Sequence, residues 1–261
     1  MINTLRHFDP EDPYPDSDGQ PMAENTLQFE WIVKIKENLE ILFAEHPDVF
    51  VAGDLFWYPD PDRQTTGPVA PDVLVVFGRP KGYRGSYKQW EEDGIAPQVV
   101  FEILSPSNSS VEMEGKRIFY ERYGVEEYYV YDPDHHHFEA WIRQPQSEPL
   151  RAPADHLLQF PSRLRRQAIS TPWTSPRLGI QFVVTSDDLE LLYPSGQRFL
   201  TSIELAQRYE TERQRAEIAE QRAEAEWQRA EVERQRAEIE RQRAEQLAER
   251  LRALGIDPAG G

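Results

Sequence analysis

The chain has 261 residues, with 29 Lys plus Arg against 46 Asp plus Glu, a net charge of −17 with His neutral. That balance argues against a general polyanion-binding surface, because phosphate affinity is carried by Lys and Arg, but it leaves room for a local basic patch. There is no cysteine, which excludes disulfides, thiolate metal sites, Fe–S clusters and Cys nucleophiles. Residues 1–20 carry Asp9, Glu11, Asp12, Asp16 and Asp18 among prolines, with no apolar core. They are expected to form a disordered acidic segment and not a signal peptide. No window approaches the roughly 18 consecutive apolar residues of a membrane span, so a cytoplasmic protein is expected.

The next 180 or so residues suffice for one well-buried domain, residues 21–200. Leu27, Ile32, Ile35, Leu39 and Leu42 recur at helical spacing, which predicts an amphipathic helix over Thr26 to Glu45. Val49 to Ala52 and Leu55 to Tyr58 read as short strands around Gly53-Asp54. Asp72 to Phe77 and Gln98 to Leu104 are β-branched apolar runs and read as buried strands. Glu112 to Tyr123 predicts a second helix ending at Gly124, followed by strands at Tyr128 to Tyr131 and Phe138 to Ile142. His135-His136-His137 lies between those two strands and reads as a hairpin connection. Arg143 to Pro176 is rich in Pro, Gln, Ser and Arg without periodicity and is expected to be a long loop. Leu178 to Val184 and Leu189 to Tyr193 predict a closing hairpin.

The tail is an internal repeat. Gln-Arg-Ala-Glu starts at Gln214 and recurs every seven residues, and Glu204 to Leu254 hold 11 Arg and 13 Glu. Good helix formers fill it until Gly255 and Pro258, so one helix is expected over residues 201–254, with 255–261 as a flexible tail. With Ile218 at heptad position a, position d is Gln221; with Ile218 at d, position a is Arg222. Either seam is half polar, so the tail fits a solvated, ion-paired helix or a weak homodimeric coiled coil.

Three residues stand out chemically. Glu102 interrupts the apolar run Val99 to Leu104, where an unpaired carboxylate is costly. Asp72 heads the run Val73 to Val76, and Lys116 lies on the helix after the Glu102 strand. Converging carboxylates need a cation, and hard oxygen donors favour Mg²⁺ or Mn²⁺. A nearby lysine can orient water or stabilise phosphate charge, which suits metal-dependent phosphodiester hydrolysis. Singly, each has a plainer reading. Asp72 fits a turn at the start of a strand, Glu102 an edge strand's outer face, and Lys116 an i,i+4 partner of Glu112.

Pro71-Asp72 followed by Glu102-Ile103-Leu104 resembles the PD-(D/E)xK phosphodiesterase superfamily. More closely, Ala70 to Val76, Val100 to Ser107, Lys116 with Tyr120, Gly124 to Tyr128 and Tyr131-Asp132-Pro133 resemble the bacterial restriction-endonuclease family called Uma-two. The resemblance covers roughly Pro21 to Pro194. It implies an α/β (α+β) restriction-endonuclease-like fold, a mixed central sheet flanked by helices, here followed by the long C-terminal helix. It implies a Mg²⁺- or Mn²⁺-dependent endonuclease acting on nucleic acid, DNA rather than RNA. Asp72 and Glu102 are then metal ligands, with the Ile103 carbonyl as a further one. The superfamily's usual lysine, two residues after the Glu, is Leu104 here, and the family pattern moves it to Lys116. Glu112, where the family often has Asp, and Glu24, ahead of Glu30 on the first helix, are auxiliary candidates. Gln28 stands where the related pattern often has His.

Arg79, Lys81, Arg84 and Lys88 interleave with Tyr83, Tyr87 and Trp90 and form the candidate nucleic-acid surface. Arg163, Arg165 and Arg166 make a second basic cluster. Two rival readings use the same residues: a catalytically degenerate domain that docks a partner through its C-terminal helix, and a hydrolase of small phosphoesters.

Overall fold

A computed structural model describes residues 14–16, 23–62, 66–145 and 162–254. The chain divides into two compact units, Met1–Ser202 and Ile203–Gly261. Most of the expected disordered segment 1–20 and all of 255–261 lie outside the described residues. Residues 14–16 do not: the Tyr14 hydroxyl donates to the Pro61 carbonyl at 2.7 Å, and Tyr58 donates to that of Pro15 at 2.7 Å.

The first unit is built on a six-stranded mixed sheet. Its strands are β1 (Val49–Gly53), β3 (Val73–Phe77), β5 (Val99–Ile103), β6 (Glu127–Asp132), β7 (His137–Pro145) and β8 (Ser162–Arg166), in the order β1-β3-β5-β6-β7-β8. Only the β5–β6 pair is parallel, and helix α2 (Ser110–Tyr123) is the crossover that a parallel pair requires. Helix α1 (Thr26–Leu42) packs on the opposite face. The strands bury both faces, which is why they read as unbroken apolar runs. Val73, Val75, Val99, Phe101 and Ile103 point into one core with Trp31, Ile35 and Leu39 of α1. Leu74, Val76 and Val100 point into the other with Tyr120 of α2. Alternation therefore places residues 72 and 102 on the α2 face.

Both helices start on a capped turn. Asn25 Oδ1 accepts from the Gln28 amide, and Ser109 Oγ accepts from that of Glu112. Helix α2 stops at Gly124, whose φ of 102° only glycine adopts without strain. A second sheet, β11 (Leu189–Leu192), β10 (Gln181–Val184), β9 (Trp173–Thr174), closes the α1-side core through Phe182.

One expectation is corrected. Arg143 to Pro176 is not a loop in its described part: β7 runs on to Pro145, β8 pairs with it in register Arg143↔Leu164, and β9 follows. The strand was hidden because β8 is an edge, where Leu164 alone is buried among exposed arginines. The aromatic–basic stretch also contains a short strand, β4 (Tyr87–Lys88), parallel to β2 (Trp57–Tyr58). His135 and His136 lie in the β6–β7 connection, with His135 Nδ1 2.8 Å from Asp132, and His137 opens β7.

The second unit is helix α3, which starts at Ser202 and runs to Ala253, 52 residues with none buried. No helix among the described residues is long and apolar enough to cross a membrane.

Candidate active site

The antiparallel β3–β5 register pairs Val73 with Phe101, so the next step across the strands sets Asp72 opposite Glu102. Both are buried, at 7% and 2% exposure, on the α2 face. Asp72 Oδ2 accepts the Ile103 amide at 2.6 Å. Glu102 Oε2 lies 2.8 Å from Lys116 Nζ, and Glu102 Oε1 accepts from the Tyr120 hydroxyl. Lys116 and Tyr120 are one helical turn apart and therefore meet the strand side by side. Lys116 thus ignores Glu112 as an ion-pair partner, and Glu102 sits on a central strand, not at an edge.

The electrostatics follow from burial. Desolvation lifts the Asp72 carboxyl well above the ordinary value of 3.8, Glu102 adds to it, and the Ile103 amide and Lys116 oppose it. A third carboxylate contributes. Asp54 ends β1 with φ 46°, its amide donates to the Asp72 carbonyl at 3.1 Å, and its charge also raises Asp72. Asp54 became visible only through the β1–β3 register, which pairs Gly53 with Val73. Burial works against the Lys116 ammonium, but the Glu102 charge and hydrogen bond, then Asp72 and Glu112, hold its pKa above the ordinary 10.5. The charged form of Lys116 is therefore favoured by the carboxylates around it. Tyr128 lies against Tyr120, rings 5.1 Å apart, and buries its hydroxyl without a partner. Burial and then Glu102 raise that hydroxyl's pKa far above its ordinary range.

The backbone of Ile103 is held on both sides. Its amide serves Asp72, and its carbonyl accepts from Gln28 Nε2 at 2.9 Å. Gln28 Oε1 in turn accepts the Glu24 amide at 2.9 Å. The first helix thus reaches the site through Gln28, the residue that departs from the related pattern. The exposed Glu24 carboxylate instead accepts from Ser105 Oγ at 2.5 Å and from Ser107 Oγ, and these bonds, Ser105 first, lower its pKa. Glu112 accepts from Asn108 Nδ2 at 3.2 Å. Glu24 and Glu112 therefore brace the β5–α2 connection, and neither bonds to Asp72 or Glu102. Glu30 is exposed on α1 and lines an open cleft with Trp31 and Lys34.

The basic–aromatic stretch is more internally paired than its composition suggests. Arg79 and Arg84 both bind Glu92, at 2.7 and 2.6 Å, and Arg79 also binds Asp93. Their side chains are 16% and 12% exposed. Lys81 is exposed, and Lys88 lies 5.3 Å from the Tyr14 ring. In the second cluster, Arg166 pairs with Glu139 at 2.8 Å.

Two carboxylates and a peptide carbonyl are hard oxygen donors. Among the described residues no three His, Asp or Glu side chains gather as a metal cluster. Mg²⁺ needs no such cage, since it commonly uses one or two carboxylates and keeps waters and substrate oxygens. A carboxyl whose charge is disfavoured by burial and then by a neighbouring carboxylate is a place where a cation is favourable, so the donor set fits that ion.

Asp72 and Glu102 thus lie at neighbouring strand ends, and Lys116 reaches Glu102 from the crossover helix. Residues 12–170 match the family Uma2, described as "Putative restriction endonuclease", and the chain belongs to that family. A solved structure from Anabaena variabilis, described as "a putative nuclease belonging to DUF820", is 16% identical. That comparison covers 53% of this chain and 76% of that one, with a TM-score of 0.35. No curated protein matches the chain.

Proposed function

We propose that this protein is a Mg²⁺- or Mn²⁺-dependent endonuclease that hydrolyses phosphodiester bonds in DNA. The observation that carries the reading is the Asp72–Glu102–Lys116 set on one face of β3, β5 and α2. Asp72, Glu102 and the Ile103 carbonyl would hold the metal. The bound ion would supply Lewis-acid stabilisation of charge on the scissile phosphate. Lys116, whose ammonium Glu102 holds at the site, would donate hydrogen bonds to the attacking water or to a phosphate oxygen and offset developing negative charge. Tyr120 fixes the rotamer of Glu102, and Gln28 holds the Ile103 carbonyl. Substrate phosphates would meet Lys81 and Lys88 in preference to Arg79 and Arg84, which Glu92 and Asp93 already pair.

The test offers plasmid DNA, single-stranded DNA and RNA to the purified protein, with Mg²⁺, with Mn²⁺ and with chelator. Metal-dependent cleavage of DNA is expected. A folded, Mg²⁺-binding protein that cuts none of the three but hydrolyses a small phosphodiester would replace the nuclease reading. A protein that binds no metal would remove the hydrolytic one.

A further inference from the structure

Helix α3 carries a repeat that hydrolysis leaves unexplained. Its apolar side chains have no cover: Ile218 is 50% exposed, Val232 47%, Ile239 50% and Trp227 63%. Three registers could seal this face against a second helix. Ile218 at d sets the Arg222 row at a, arginine facing arginine. The Ala216 row at a sets Glu226, Glu233 and Glu240 at d, glutamate facing glutamate. Ile218 at a gives Ile218, Ala225, Val232 and Ile239 at a and the Gln221 row at d. Only the third buries no like charge, and β-branched residues at a favour two strands.

In that register every g position from Glu210 to Glu245 is glutamate, and every e position from Arg215 to Arg250 is arginine. In a parallel pair, g faces the e position of the partner's following heptad, so Glu217 meets the second copy's Arg222 and each later heptad repeats the match. In an antiparallel pair, g faces g and e faces e, so every heptad sets glutamate against glutamate and arginine against arginine. The charges thus select one orientation and one register.

The single helix shows the same division of labour. Arginines off the seam are already paired along the helix: Arg213 with Glu210, Arg234 with Glu231, Arg241 with Glu245. In the e row, Arg215 lies 3.7 Å from Glu212, whereas Arg222, Arg229, Arg236 and Arg243 form no ion pair among the described residues. The d-row glutamines are held toward the g row, as Gln228 Nε2 donates to Glu224 at 2.9 Å and Gln242 Nε2 to Glu238 at 3.2 Å. A polar d row weakens a seam while fixing its register.

We propose that α3 is the docking surface for a second copy of this chain, in a parallel, in-register, two-stranded coiled coil closed by the Glu g row and the Arg e row.

The absence of cysteine makes the test direct. Full-length Gln221→Cys and Gln242→Cys, each alone, are oxidised gently and compared with the unaltered chain in sedimentation. The expected result is a dimer for the unaltered chain and a disulfide-linked dimer for each variant by itself. Triple reversal of Arg222, Arg229 and Arg236 to Glu is expected to weaken self-association at least tenfold. Mixing that variant with Glu217→Arg, Glu224→Arg and Glu231→Arg is expected to restore a heterodimer. A chain that stays monomeric at about 100 µM overturns the proposal. Disulfides that form only between the two different cysteine variants, or an unchanged association after charge reversal, overturn it equally.

Discussion

Asp72 shows how a residue unfavourable for the fold can be one that the proposed chemistry requires. Its carboxyl is buried beside Glu102, and burial is the larger part of what disfavours its charge. Asp72→Asn removes that charge at nearly constant volume. The metal-free variant is expected to melt a few degrees higher than the unaltered protein, while nuclease activity is lost. Differential scanning calorimetry in chelator checks the first half, and an equal or lower midpoint contradicts it. Tyr120 gives the opposite case. Tyr120→Phe leaves Glu102 Oε1 without its donor at a position 2% exposed. A loss of about 1–3 kcal/mol is expected in urea unfolding. The three proposed catalytic residues were legible because a carboxylate inside an apolar strand and a carboxylate at the head of another are anomalies that sequence displays directly. Asp54, Gln28 and Tyr128 were not. Their relevance depends on β1–β3 register and on which turn of α1 or strand of the sheet faces Ile103 and Tyr120.

At the scale of elements, periodicity located both helices of the body and the central strands, because these bury regular apolar patterns. Polar residues that lock elements together left no such trace. Asn38 lies on the buried face of α1 at 0% exposure, where it donates to the Leu200 carbonyl and accepts from Tyr193 and the Leu200 amide. Arg143 donates to the Tyr120 and Glu121 carbonyls at the end of α2 and to the Val125 carbonyl, tying that helix to β7. Lysine cannot reproduce the planar fork, so Arg143→Lys is expected to cost about 2–3 kcal/mol, read from the shift in denaturation midpoint. A shift under about 0.5 kcal/mol would count against this role.

Glu127 joins β6 to the 175–177 turn, accepting from Ser175 Oγ, the Tyr129 hydroxyl and the Arg177 amide. Burial raises its pKa above the ordinary 4.5 despite those bonds. The folded state therefore keeps the proton to higher pH than the unfolded chain does. The associated stability is complete below about pH 4.5 and is lost as pH rises through the raised value. Urea midpoints between about pH 4 and pH 7 should decline less in Glu127→Gln than in the unaltered protein. Parallel profiles would contradict the assignment.

Across the whole molecule, the net charge bears on how a metal ion and a polyanion would approach the proposed site. A chain at −17 repels a polyanion except where metal and a few uncompensated lysines intervene. Saturating Mg²⁺, at about 100 times its Kd, adds about 2.7 kcal/mol to a protein that binds it only when folded. For a body of this size that amounts to a rise of roughly 5–10 °C in melting temperature. Asp72→Asn should lose the rise, and a rise of equal size in that variant would place the ion elsewhere. The tail's length and repeat were plain in the sequence, whereas the pairing of its charges required the helix to be seen with its own ion pairs in place.

The most direct test of the central claim is the rate of DNA cleavage in Mg²⁺ by the unaltered protein, Glu102→Gln and Lys116→Ala, each shown folded by circular dichroism. Metal-dependent cleavage that falls at least about 100-fold in both variants is the predicted result. Cleavage that persists in either variant, or that proceeds equally in chelator, would contradict the assignment of this site.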